Sequence, residues 1–190
     1  MQYVVIVCCV ALATTFGWSL ISKLYSRSAA VAFVSAIRKL PRPVSVWPAG
    51  AAAGSLLAEA LVAASMLDPY TRVYGLVGAL ALLTLYTVVL VLAIRAGSEV
   101  PCNCFGGGHE SVSRLDLLRN GALAVLGAVG LASSQVGGSP PLGDPAVLVM
   151  IGVGVGLAVA AIRFRDLAWL FGGTDRPATG TQTPRPRGAR

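Results

Sequence analysis

The densest group of reactive side chains in this sequence is the run Pro101-Cys102-Asn103-Cys104-Phe105-Gly106, followed by Gly107, Gly108, His109 and Glu110. Two cysteines one residue apart in a glycine-rich loop can meet as a disulfide. A ring that small is strained, which makes the bond easier to reduce. As thiols, the same pair can attack a partner's disulfide, one sulfur forming the mixed disulfide and the other resolving it. His109 and Arg114 favour the thiolate by their positive charge. Metal binding is the main rival reading, because Cys102, Cys104 and His109 are three soft or borderline ligands with Glu110 beside them. Cys-x-Cys nevertheless lacks the usual spacing of structural zinc pairs, and the loop has no second cysteine pair. Thiol redox chemistry therefore leads, with a metal site and an inert loop as alternatives.

Glu59 is the second candidate. It is the only acidic residue inside the three longest apolar stretches, and an ionisable group in a bilayer is expensive and tends to face other helices. Counted along a helix at ~1.5 Å per residue, it lies roughly 12 Å below the outer boundary. The low dielectric there disfavours its charge unless a cation or several donors are near. Two readings stand side by side: a functional carboxyl group, or a neutral acid hydrogen-bonded to a neighbouring helix. Cys8 and Cys9 are adjacent and point ~100° apart around a helix, so they do not readily bridge one another. They read first as small packing residues. Their depth, roughly 8–9 Å at the same rise, approaches that of Glu59, which leaves proton exchange between thiol and carboxyl as a second possibility.

The elements that position these groups are membrane helices. The 190 residues are 55% hydrophobic and only 12% charged, with a mean hydropathy of +0.74. A soluble domain carries about 25% charged residues, so half the usual surface charge is missing. Disorder, a coiled coil, nucleic-acid binding and a disulfide-stapled secreted domain all fit poorly, and the bilayer is the expected partner. The apolar runs predict five spans: Tyr3 to Ser22, Val44 to Leu67, Val73 to Ile94, Gly121 to Val136 and Ala146 to Ile162. Each approaches the ~20 residues that a crossing helix needs. A sixth run, Ser28 to Ile37, is shorter and fits a helix lying in the interface. Ala11-Leu12-Ala13 imitates a signal-peptide cleavage site, but no basic segment precedes it and the apolar run continues through it, so the reading expects an uncleaved anchor.

The fold class expected is therefore an all-α polytopic bundle over residues 1–171, followed by a disordered basic tail over 172–190. The tail reading rests on its Gly, Thr, Pro and Arg content. Of the 15 Lys and Arg residues, 14 fall in the first loop, the third loop and the C-terminal segment, leaving Arg72 alone on the other side. Basic loops stay cytoplasmic, which predicts an outward N-terminus and a cytoplasmic C-terminus in a bacterial inner membrane. Gly50, Gly54 and Ala58, and likewise Gly152, Gly156 and Ala160, recur at intervals of four. Both series are expected to form smooth stripes where another backbone approaches.

Cys102-Asn103-Cys104-Phe105-Gly106, with Arg119-Asn120 further on, resembles the motif of the methylamine-utilisation MauE family, which is distantly similar to DoxX-type membrane proteins. Lys23-Leu24 after the first span and Glu59 in the second add to the resemblance, which covers roughly Tyr3 to Leu131. It implies a four- or five-helix membrane protein linked to disulfide chemistry, working with a thioredoxin-like partner in the maturation of methylamine dehydrogenase, a disulfide-rich periplasmic enzyme. It also implies roles for Phe105, Gly106, Arg119, Asn120 and Lys23 around the cysteine pair. Two other functions stay open: a non-catalytic membrane assembly scaffold, and a bundle binding a quinone or similar hydrophobic molecule with Glu59 as polar contact. No phosphate loop, dinucleotide fingerprint or nucleophile–base–acid set appears, so no cofactor is expected, and a hydrolase, kinase or nicotinamide enzyme is a poor fit.

Overall fold

The computed structural model describes residues 2–38, 46–95, 114–135 and 144–164. Six helices follow in order among them: α1 (Gln2–Leu24), α2 (Arg27–Arg38), α3 (Pro48–Ser65), α4 (Arg72–Arg95), α5 (Arg114–Ser134) and α6 (Pro145–Ile162). All but α2 are long and apolar enough to cross a membrane. The all-α bundle with about five spans is thus the architecture found. α2, at 12 residues, reaches only ~18 Å and cannot cross.

Neighbouring side chains fix the direction of each helix. A methyl group added at Gly130 would come within 2.8 Å of Cys8 Cβ and 3.2 Å of Leu76, and one added at Gly127 would meet Leu80 and Leu12. Numbers on α1 and α4 rise together while those on α5 fall, so α5 runs against both. Val62 beside Gly78 and Ser55 beside Tyr86 set α3 against α4 in the same way. α6 runs with α1, since Asp144 meets Tyr3 and Gly154 meets Val7 and Val10. Each long helix therefore reverses the one before it, and α2 lies at the turn between α1 and α3. Phe33 and Ile37 bury one face of α2 against Ala52 of α3, while Arg27 and Arg38 at its ends stay exposed.

α1 is the hub of the bundle and touches all five other helices. Its Val5, Cys9, Leu12 and Phe16 interlock with Val62, Met66, Leu76, Ala79, Leu83 and Leu123. In lipid such contacts stabilise by close packing, because exposed Val and Leu side chains lose nothing against acyl chains. Exposed Tyr70 and Tyr74 at one end, and Tyr25 and Trp47 at the other, stand where aromatic side chains settle at a membrane surface.

The helix starts differ most from the expectation in two places, for identifiable reasons. α3 begins at Pro48 rather than Val44, as proline suits the first turn, where no backbone N–H is required. α5 begins at Arg114 rather than Gly121, and Asp116 in its first turn complements the helix dipole.

The stripes of small residues are a clear correction. Gly54, Gly152 and Gly156 have nothing within 4 Å of an added methyl group, and Gly50 meets only Trp47 at the start of its own helix. Close approach falls instead on Gly75, Gly78, Gly127, Gly130 and Gly154. The basic tail over 172–190 lies outside the described residues.

Candidate functional site

A chain of polar groups crosses the space between α1, α3 and α4. Lys23 Nζ lies 2.5 Å from Glu59 Oε1, and both side chains are essentially buried, at 2% and 0% exposure. The Tyr86 hydroxyl donates to the same Oε1 at 2.5 Å. With its proton committed there, Tyr86 accepts from Ser55 Oγ at 2.9 Å. Lys23 Nζ also stands 4.8 Å from the centroid of the Phe33 ring and 5.7 Å from that of Tyr86.

Helix direction explains why residues 36 positions apart meet. Side chains lean toward the N-terminus of their own helix. Lys23, near the C-terminal end of α1, therefore leans back into the bundle. Glu59 sits on the antiparallel α3 and leans toward that helix's N-terminus, so the two converge. Glu59 thus forms a buried ion pair and is hydrogen-bonded to the neighbouring α4, the cation being the condition under which burial leaves its charge in place. Cys8 and Cys9 pack among apolar groups, with Cys8 against Gly130 and Cys9 in the central core.

Several kcal/mol per ion is the cost of removing charges from water, and the mutual attraction of the pair offsets it only with good geometry and further hydrogen bonds. Here Oε1 receives both donors, while Glu59 Oε2 is buried without a hydrogen-bond partner among the described residues. The second polar group is Asp116, Arg119 and Asn120 on the first turns of α5, all buried. Arg119 Nη2 stands 3.9 Å from Asp116 Oδ1. The register that sets Gly127 against Leu12 carries Asn120, two turns along the same stripe, to the level of Ser19. Both residues are buried. Lys23 and the Asp116–Arg119 group therefore occupy the same end of the bundle.

Cys102, Cys104, Phe105, Gly106 and His109 lie outside the described residues. Their segment joins the last turn of α4 to the first turn of α5, and both of these turns belong to that same end. Among the described residues no group of three or more His, Cys, Asp or Glu side chains is arranged to hold a metal ion. The Cys102–Cys104–His109 alternative lies outside that set.

The sequence model described as "Methylamine utilisation protein MauE" matches residues 1–133, more than two thirds of the chain. The chain belongs to the MauE family. Neither the curated proteins nor the solved structures yield a match. The MauE portion takes in α1 through almost all of α5 and both of these buried polar groups, while α6 lies beyond it. Of the residues singled out in sequence, Lys23 and Glu59 are joined directly, and Arg119 and Asn120 stand side by side on α5. Tyr86, Ser55, Phe33 and Asp116 were not anticipated. A tyrosine amid an apolar span was a usable signal, since a buried phenol seeks a partner. Asp116 three residues before Arg119 was another.

Proposed function

We propose that this MauE-family protein is a membrane thiol–disulfide exchange protein, with Cys102 and Cys104 as its reactive pair and a thioredoxin-fold protein as its partner. The observation that supports the reading most is convergence at one end of the bundle. The segment carrying the pair joins two helices whose ends adjoin Lys23–Glu59 and Asp116–Arg119–Asn120. Basic side chains beside a thiol favour the nucleophilic thiolate.

The exchange balances without any further reagent. One thiolate attacks the partner's disulfide, forming a mixed disulfide and releasing one partner sulfur. The second cysteine then attacks the mixed disulfide, closing Cys102–Cys104 and releasing the other partner sulfur. The pair is oxidised, the partner's disulfide is reduced, and two protons pass to the partner's thiols. We read the first loop, the third loop and the C-terminal segment, which carry 14 of the 15 Lys and Arg residues, as cytoplasmic, with the N-terminus outward, in a bacterial inner membrane. The family's name directs the pathway toward methylamine utilisation, with maturation of methylamine dehydrogenase as the client reaction.

Replacing Cys104 by Ser strands Cys102 as an unresolved nucleophile, and Cys102→Ser does the converse. Either variant is expected to trap a mixed disulfide with a thioredoxin-like partner, seen on a non-reducing gel and removed by reductant. A scaffold gives no adduct, and the double Ser variant keeps its function. A metal site gives no adduct but loses a stoichiometric metal on double substitution. A pair that resists alkylation before and after reductant, in a protein whose double variant still supports its pathway, overturns the proposal.

A further inference from the structure

The cysteine pair does not account for the buried Lys23–Glu59 site, which carries two features that a purely structural ion pair does not need. The first is the division of labour within one carboxylate. Both donors converge on Glu59 Oε1, while Oε2, in a fully buried residue, has no hydrogen-bond partner among the described residues. Protonation at Oε2 leaves Oε1 a carbonyl oxygen that still accepts from Lys23 and Tyr86. The neutral acid is reached without breaking either bond. The second is the setting of Lys23, whose ammonium faces the Phe33 and Tyr86 rings. A ring face attracts a cation whatever the state of a neighbouring carboxyl group. The positive charge thus remains held when the negative one is neutralised.

We propose that Lys23–Glu59 is a reversible proton-binding site inside the bilayer, with Glu59 Oε2 as the atom that takes the proton. On uptake, one proton leaves hydronium in the adjoining aqueous phase and one O–H bond forms at Oε2. No electrons move, and the site passes from a neutral pair to a single positive charge. The helices packed against α3 are α1, α2 and α4. They supply Lys23 from α1 and Tyr86 from α4. α2 presents Phe33, its own Arg27 and Arg38 being exposed. Asp116 and Arg119 belong to α5, which packs against α1 and α4. The proposal does not rest on the cysteine pair, and its readout is the same with both cysteines replaced.

Infrared difference spectroscopy of the full chain in lipid nanodiscs, stepped from neutral to acid pH within the folded range, tests it. Acidification is expected to produce the carbonyl stretch of a protonated carboxylic acid, shifted in heavy water and absent from Glu59→Gln. Lys23→Met removes the cation that keeps the carboxylate ionised, so its band should be present already at neutral pH. If the wild type develops no such band, or if the band survives in Glu59→Gln, the proposal is overturned.

Discussion

The two ends of this bundle use polar groups in opposite ways. At the end where α6 begins, the Tyr3 hydroxyl donates to Asp144 Oδ2 at 2.5 Å, while Asp144 Oδ1 accepts from the Ala146 backbone N–H at 2.9 Å. Both carboxylate oxygens are engaged, at the water's edge, and both bonds do structural work: one caps α6 and the other ties it to α1. Beneath them the helices close through glycines, with Gly154 against Val10 and Gly130 against Cys8. At the opposite end, Lys23, Glu59, Asp116 and Arg119 are buried, and one Glu59 oxygen has no hydrogen-bond partner among the described residues. Burial of charge beyond what packing requires marks that end as the candidate functional site.

The largest effect expected from disturbing this contrast comes from separating the ion pair. Lys23→Met breaks the buried pair, leaving Glu59 to be buried as the neutral acid without its cation, and should lower stability by about 3–5 kcal/mol, read from unfolding in bicelles. Tyr86→Phe removes a hydrogen bond to a charged group and should cost about 1.5–3 kcal/mol in the same assay. At the other end, Gly130→Val drives a side chain against Cys8 and Leu76, an overpacking expected to cost about 1–3 kcal/mol. Gly152→Val faces open space and should leave stability unchanged. If Gly152→Val were as damaging as Gly130→Val, the outward placement of that stripe would be wrong.

The smallest effect concerns Asp144. The hydrogen bond from Tyr3, then that from the Ala146 N–H, hold its carboxyl group below the ordinary carboxylate range. A lowered value means that the contribution to stability is complete above the ordinary range and is lost as pH falls through the lowered one. Hydrogen exchange in the first turn of α6 should therefore quicken on acidification. In Asp144→Ala it should be fast at every pH.

Much of the architecture was legible because apolar runs of membrane-spanning length leave few alternatives. The sites were less so. Glu59 stood out as a lone acid, but Lys23 read as the first residue of a loop, since nothing in composition shows that α1 runs on through Leu24. The meeting of the two follows from antiparallel packing, which a single sequence does not display. The stripes failed for a related reason. On α6, Gly152 and Gly156 recur at an interval of four, and so do Gly154 and Ala158 on a different face. Periodicity alone gives no ground for choosing between them. Val7 and Val10 of α1 decide it, by lying against the second.

The contrast between an end that packs and an end that buries charge is tested most directly by the unfolding free energy of the double variant Lys23→Met/Glu59→Leu in bicelles. Apolar residues of similar volume in place of a buried pair are often neutral, or stabilising by about 1–4 kcal/mol. The double variant should therefore be at least as stable as the wild type, recovering all that Lys23→Met alone loses. A double variant as unstable as the single one would show that the pair is kept for the stability it gives, and would contradict the account.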